Sequence, residues 1–146
     1  MTMISVQQFC NHAVSVGAIS DEDLLVLKRE VLPEGLMDRE DADLLIALER
    51  AVIGSDAFAD FLVASVVDFA VWGTRPTGYI DRDVATWLAS SLSGRDGPSP
   101  VGARIAMEVV REAQGSAESL MAFALEANRW IRDAVQAPRM TFALAA

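Results

Sequence analysis

Acidic side chains are the residues of this chain that could do chemistry, and they are unevenly distributed. Residues 21–50 hold ten of the twenty-one Asp and Glu residues, against four basic residues. Asp38 and Asp41 stand three positions apart, so both lie on one edge of a helix start, and Asp23 belongs to another acidic run one helix earlier. Hard divalent cations bind clustered carboxylate oxygens. Asp23, Asp38 and Asp41 are therefore the candidate ligands of a divalent-cation site.

The same acids also have a purely structural interpretation. An Asp at the start of a helix caps a free backbone N–H, and an acid in the first turn meets the positive end of the helix dipole. The EF-hand loop pattern fails, because its fifth position is Ala42 when counted from Asp38 and Leu25 when counted from Asp21. A metal site would have to be assembled across helices, and the sequence leaves both interpretations open.

A second pair of carboxylates lies inside the most apolar stretch of the chain, residues 58–72. Asp60 and Asp68 are eight residues apart and near one helix face, so they could line one groove. Two carboxylates can support acid–base chemistry, which makes an enzyme the third functional hypothesis. The single histidine, His12, and the single cysteine, Cys10, are two residues apart and do not share a helix face, so they make a poor metal pair.

A repeated phrase suggests how the acids are positioned. "LPEGLMDRE" at residues 32–40 returns as "RPTGYIDRD" at 75–83, forty-three residues later, and a looser copy, "GAISDED", covers 17–23. In this phrase Pro stops a helix, Gly reverses the chain, Met37 or Ile80 anchors the turn, and Asp38 or Asp81 caps the next helix. The phrase predicts a helix–Pro/Gly turn–helix joint used twice.

Helical periodicity recurs along the whole chain, and alternating strand patterns do not persist. The spacing predicts an all-α, single-domain bundle of about seven helices over residues 1–146, with the apolar run of residues 58–72 as a buried central helix. Pro138 is expected to end the last helix and to leave residues 137–146 as an irregular tail.

Composition narrows the partners. A net charge of −9 argues against nucleic acid, whose affinity comes largely from Lys and Arg. Residues 58–72 are too short, and carry two Asp, for membrane insertion. One cysteine cannot form an internal disulfide, so a reducing, cytoplasmic location is expected.

The stretch "GAISDEDLLVLKREV", with its Gly, Ile, Ser and paired acids before a helix, resembles the opening of tellurite-resistance TerB-like domains. The resemblance covers about residues 6–136. It implies a non-enzymatic bacterial helical module linked to stress responses, in which Asp23, Asp38 and Asp41 match positions proposed to bind metal ions. The family commonly has an acid before the first Gly, where this chain has Val16.

Three functional hypotheses follow, in order of preference. The first is the TerB-like module that binds a divalent cation. The alternative is a protein-interaction or assembly module without metal, acting as a homodimer or with a protein partner, in which the acids serve capping and solubility. The third is an enzyme that uses Asp60 and Asp68.

Overall fold

The computed structural model describes the backbone of residues 4–145 and the side chains of residues 4–133, and over this range the protein is an all-α bundle of seven helices. A π-helical turn, Leu27–Val31, extends the second helix, and two strands of two residues each form the single small parallel sheet of the described residues. The elements are α1 Val6–Val16, α2 Asp21–Val26, α3 Arg39–Ala51, α4 Asp56–Trp72, β1 Tyr79–Ile80, α5 Arg82–Ser93, α6 Pro100–Glu112, β2 Gly115–Ser116 and α7 Glu118–Ala145.

Side-chain caps begin the first six helices, and two of them, Asp38 and Asp81, are the caps that the repeated phrase predicts. Each cap oxygen accepts a hydrogen bond from the backbone N–H three residues later, which satisfies one of the free donors of the first turn. In α1 and α2 the bond is returned by the side chain of Gln8 and of Asp23, which completes a capping box. The caps are Ser5, Ser20, Asp38, Ser55, Asp81 and Ser99.

Both joints of the repeated phrase turn through a glycine in the left-handed region. Gly35 has φ 84° and Gly78 has φ 85°, a conformation that side chains with a Cβ rarely adopt. Ile80 is buried as an anchor, but Met37 is 70% exposed, so the predicted anchor at Met37 is wrong and Leu36 is buried instead. Ile80 lies in β1, whose pairing with β2 orients its side chain, whereas residues 36–38 belong to no strand.

Tertiary structure reveals a longer repeat, with an offset of 61 residues. The Ile53 N–H donates to the Gly17 carbonyl at 3.1 Å, and the Gln114 N–H donates to the Gly78 carbonyl at 2.7 Å. The first bond belongs to a parallel bridge and the second adjoins the parallel β1–β2 pair. The caps follow the same offset, which relates Ser20 to Asp81 and Asp38 to Ser99.

Helix packing follows this repeat. In the first half α1 packs on α3, and in the second half α4 packs on α6. Helix α4 belongs to both halves, because it also contacts α2 and α3, and this explains why so much of it is buried. The predicted central helix is therefore confirmed. Its buried residues are Phe58, Leu62, Val63, Val66, Phe69, Ala70 and Val71.

The last helix differs from expectation. The backbone of α7 continues through Pro138 to Ala145, where the sequence predicts an irregular tail over residues 137–146. A proline inside a helix removes one backbone hydrogen bond, but most of the flanking residues (Gln, Ala, Arg, Met and Leu among them) are good helix formers. In the part of the chain described here, no helix combines the length and the apolar character needed to cross a membrane.

Candidate functional site

Two of the three candidate metal ligands, Asp23 and Asp38, accept backbone hydrogen bonds with their carboxylates. An Oδ1 of Asp38 accepts the N–H of Asp41 at 2.8 Å, and an Oδ2 of Asp23 accepts the N–H of Ser20 at 3.0 Å. The other carboxylate oxygen of Asp23, Oδ1, lies 3.9 Å from the Nε2 atom of His12. Among residues 4–133, no group of three or more His, Cys, Asp or Glu side chains is placed to hold a metal ion.

The neighbouring acids at the start of α3 affect the carboxyl group of Asp41. Burial raises the pKa of its carboxyl above the ordinary value, and the charges of Asp38 and Glu40 raise it further. The structure thus brings Asp38 and Asp41 together as a cap and its first-turn neighbour. These acids have the geometry of residues that begin a helix.

Asp60 and Asp68 lie in a different setting. Both line one groove between α4 and α6, with a volume of about 340 Å³. Its floor is apolar and its rim is polar. The lining residues are Asp60, Val63, Ala64, Val67, Asp68, Trp72, Arg104, Glu108 and Glu112.

Two contacts show that α4 and α6 run in the same direction along this groove. Near the N-terminal ends of the two helices, the Arg104 guanidinium contacts Asp60 at 2.8 Å. At the C-terminal ends, the indole N–H of Trp72 donates to Glu112 at 3.3 Å. The negative ends of both helix dipoles therefore lie together at the Trp72 end of the groove.

Acidic side chains add to that negative charge. Asp68 lies in the last turns of α4, and Glu108 and Glu112 lie in the last turns of α6. An acid at a helix C-terminus is unfavourable with respect to the dipole, whereas α2, α3, α4, α5 and α7 place acids in their first turns, where the dipole stabilises them. Glu108 contacts Arg111 at 3.1 Å, and the carboxylate of Asp68 makes no hydrogen bond or ion pair to any described residue.

The other half of the repeat shows that the fold does not require these acids. An equivalent groove of about 380 Å³ lies between α1 and α3. At the 61-residue offset, Ala47 and Ala51 of that groove occupy the positions of Glu108 and Glu112. Two grooves of the same architecture thus differ in charge, because the α1/α3 groove has no charged lining residue and the α4/α6 groove has four acidic ones.

Trp72, Glu108 and Glu112 are functional candidates that sequence reasoning missed. Trp72 is 43% exposed at the end of the groove, so its indole ring is accessible to a bound partner. The sequence carries one usable signal. Glu108 and Glu112 are acids four residues apart at the end of a helix, where the dipole disfavours them.

The geometry of the groove does not favour catalysis by Asp60 and Asp68. Eight residues along a helix separate the two by about 12 Å along the axis. One of them, Asp60, is already paired with Arg104. Two carboxylates that act on one bond must converge on it, so the groove is suited to binding along its length.

A larger groove, about 550 Å³, lies between α3 and α5, and its charged side chains have partners within the chain. Arg39 contacts Asp83 at 2.6 Å and lies over the Trp87 ring, whose indole N–H donates to Asp43 at 2.8 Å. Arg50 donates to the Ser91 carbonyl at 3.2 Å, near the C-terminus of α5. These contacts join the two halves of the molecule and account for the charged groups of the groove without a ligand.

Comparison with known proteins finds no match for this chain among family models, curated proteins or solved structures. The resemblance to TerB-like domains therefore stays a prediction. The functional argument depends on the α4/α6 groove.

Proposed function

We propose that this protein is a non-enzymatic protein-interaction module, and that its α4/α6 groove binds a basic helical segment of a partner. The observation that carries this proposal is the acidic end of the groove, where two helix C-termini, Asp68 and Glu112 lie together beside exposed Trp72. The cation that suits this site is a side chain, because a metal ion would need converging ligands.

The shape of the groove supports a helical occupant. Its floor of Val63, Ala64 and Val67 offers apolar contact, and its rim offers carboxylates for Arg or Lys. From Asp60 to Trp72 the groove extends about 18 Å, the length of roughly three helical turns. An amphipathic helix with apolar residues on one face and arginines at its edges fits this arrangement. Trp72 can stack on an arginine, which adds a cation–π contact.

A binding measurement with a defined probe tests the proposal. The probe is a fluorescein-labelled 18-residue helical peptide of Leu, Ala and Arg, and its matched control carries Glu in place of each Arg. Fluorescence anisotropy should show binding of the Arg peptide alone, weakened by added salt because the attraction is electrostatic. Neutralising the groove in the Asp68→Asn/Glu112→Gln protein should weaken binding at least tenfold.

The matched control protein is Asp21→Asn/Glu22→Gln, which removes the same charge from the exposed start of α2. It should bind the Arg peptide as the unaltered protein does. The groove variant should melt at the same temperature as the unaltered protein or slightly higher, because each removed acid opposes a helix dipole. Equal binding to both variants, or to both peptides, would refute a specific acidic groove.

A further inference from the structure

The C-terminal end of α7 is basic, whereas the α4/α6 groove is acidic. Ala127 is the last buried residue of α7 among the described side chains, and Arg129, Trp130 and Arg132 are exposed. Residues 128–146 carry three arginines and one aspartate, a net charge of +2 in a chain whose net charge is −9. This segment, which we call the α7 end, is thus the basic and apolar end of an acidic protein.

Resting on the proposed function, we infer that the α4/α6 groove binds the α7 end of a second copy of this chain. The α7 end and the groove match in charge and in length. Arg129 and Arg132 are three residues apart on a helix, so they lie on one side of it and can meet Asp68 and Glu112 together. The 18 helical residues from 128 to 145 extend about 27 Å, enough to cover the 18 Å groove.

The occupant must come from another molecule because of the direction of α7. This helix begins at Glu118, just after the C-terminal end of α6, and packs along α6 and α5. Trp130 lies beside Gly97, in the loop that precedes α6, where a Cβ on Gly97 would be 3.9 Å from the indole ring. Helix α7 therefore runs antiparallel to α6 and leaves the bundle about 20 Å from the acidic end of its own groove.

The internal repeat points the same way. By the 61-residue offset α7 takes the place in the second half that α4 takes in the first. Helix α6 contacts α4 from Asp60 to Trp72, whereas Arg129, Trp130 and Arg132 in the later part of α7 are exposed within this chain. A second copy supplies the missing cover, and mutual exchange of the α7 ends gives a closed dimer.

Charge reversal on each side tests this pairing in solution. The unaltered full-length protein should show a concentration-dependent dimer by sedimentation equilibrium, weakened by salt. Both the groove variant Asp68→Lys/Glu112→Lys and the α7 variant Arg129→Glu/Arg132→Glu should weaken dimerisation at least tenfold. The four-fold variant that carries all of these substitutions should dimerise again, because each reversed groove then meets a reversed α7 end.

Several outcomes would overturn the inference: a monomer at every concentration, a dimer indifferent to either reversal, or a four-fold variant that stays monomeric. Unchanged circular dichroism of each variant shows that the exposed substitutions leave the fold intact. The Arg peptide is also titrated into the Arg129→Glu/Arg132→Glu protein, whose groove is unaltered. Peptide binding without self-association would leave the proposed function standing and refute the second copy as the partner, and absence of both would refute both.

Discussion

At the scale of single residues, Cys10 shows how burial controls chemistry. Its thiol is buried in α1 and donates to the Leu44 carbonyl at 3.8 Å. Burial and, to a smaller extent, the negative charge of Asp41 together raise the pKa of this thiol from its ordinary value near 9 to about 11. The thiolate is the reactive form, so the native protein holds its one cysteine in an unreactive state.

We expect Cys10 to resist a thiol reagent at pH 8 in the native protein and to react fully in denaturant. The free energy of unfolding should fall as the pH rises from 9 to 11, because the thiol of the unfolded chain releases its proton first. Chemical denaturation across this pH range measures the fall. The matched Cys10→Ala protein lacks this contribution, and an identical pH dependence in both proteins would contradict the assignment.

The acids at the start of α3 lead to a second prediction at this scale. Asp23 and Asp38 already accept backbone hydrogen bonds, and like charges crowd Asp41. We therefore expect no change in melting temperature when EDTA is replaced by excess calcium, magnesium, manganese or zinc. A cation bound only by the native state would stabilise it by about 2.7 kcal/mol at one hundred times its dissociation constant. Such a stabilisation, lost in Asp38→Asn/Asp41→Asn, would support the TerB-like metal site instead.

At the scale of elements, the joint between a glycine turn and a capping Asp is the recurring device. Asp81 accepts the N–H of Val84 at 3.0 Å and begins α5, as Asp38 begins α3. The two caps differ in their neighbours, because Asp38 also raises the pKa of Asp41 through like-charge repulsion. The hydrogen bond of Asp38 is thus made beside a second carboxylate that repels it, and the hydrogen bond of Asp81 is made without this repulsion.

Replacing Asp81 with Ala should lower the free energy of unfolding by about 1 kcal/mol, since the Val84 N–H loses its acceptor. Asp81→Asn keeps an acceptor oxygen and should cost much less. Asp38→Ala should also cost less than Asp81→Ala, because it relieves the repulsion on Asp41 at neutral pH. Urea denaturation of the three variants measures the order, and an equal cost for both Ala variants would show that the crowding has no energetic weight.

At the scale of the whole molecule, α4 joins two halves of similar architecture. Leu27 after α2 and Leu88 in α5 occupy equivalent positions at the 61-residue offset, and neither is accessible to solvent. Since both belong to one continuous core cluster that includes α4, the halves should not unfold separately. Joint unfolding of the two halves is what the predicted single domain requires.

Leu27→Ala and Leu88→Ala should each lower the free energy of unfolding by about 2–5 kcal/mol, because each removes buried methyl groups and leaves a cavity. Each variant should still unfold in one transition by calorimetry, with equal calorimetric and van't Hoff enthalpies. Two separate transitions in either variant would mean that the halves are independent units.

Much of this architecture is local and can be predicted from the sequence. The seven helices follow from apolar periodicity, and the caps at Ser20, Asp38 and Asp81 follow from residue type and position. A cap and a glycine turn act over three to four residues, so their rules need no knowledge of the rest of the chain.

Tertiary structure decided what depends on distant parts of the chain. The phrase at an offset of forty-three residues is a shared joint, whereas the repeat that organises the packing has an offset of 61 and is carried by backbone pairing. Burial of Ile80 and exposure of Met37 depend on that pairing, although both stand before a capping Asp. The sequence predicts that Asp60 and Asp68 share a groove. The structure adds Trp72 and Glu112 to this groove, because the parallel packing of α4 and α6 brings these two residues together. A sequence pattern specifies which face of a helix is apolar, but only packing specifies which helix meets it and in which direction.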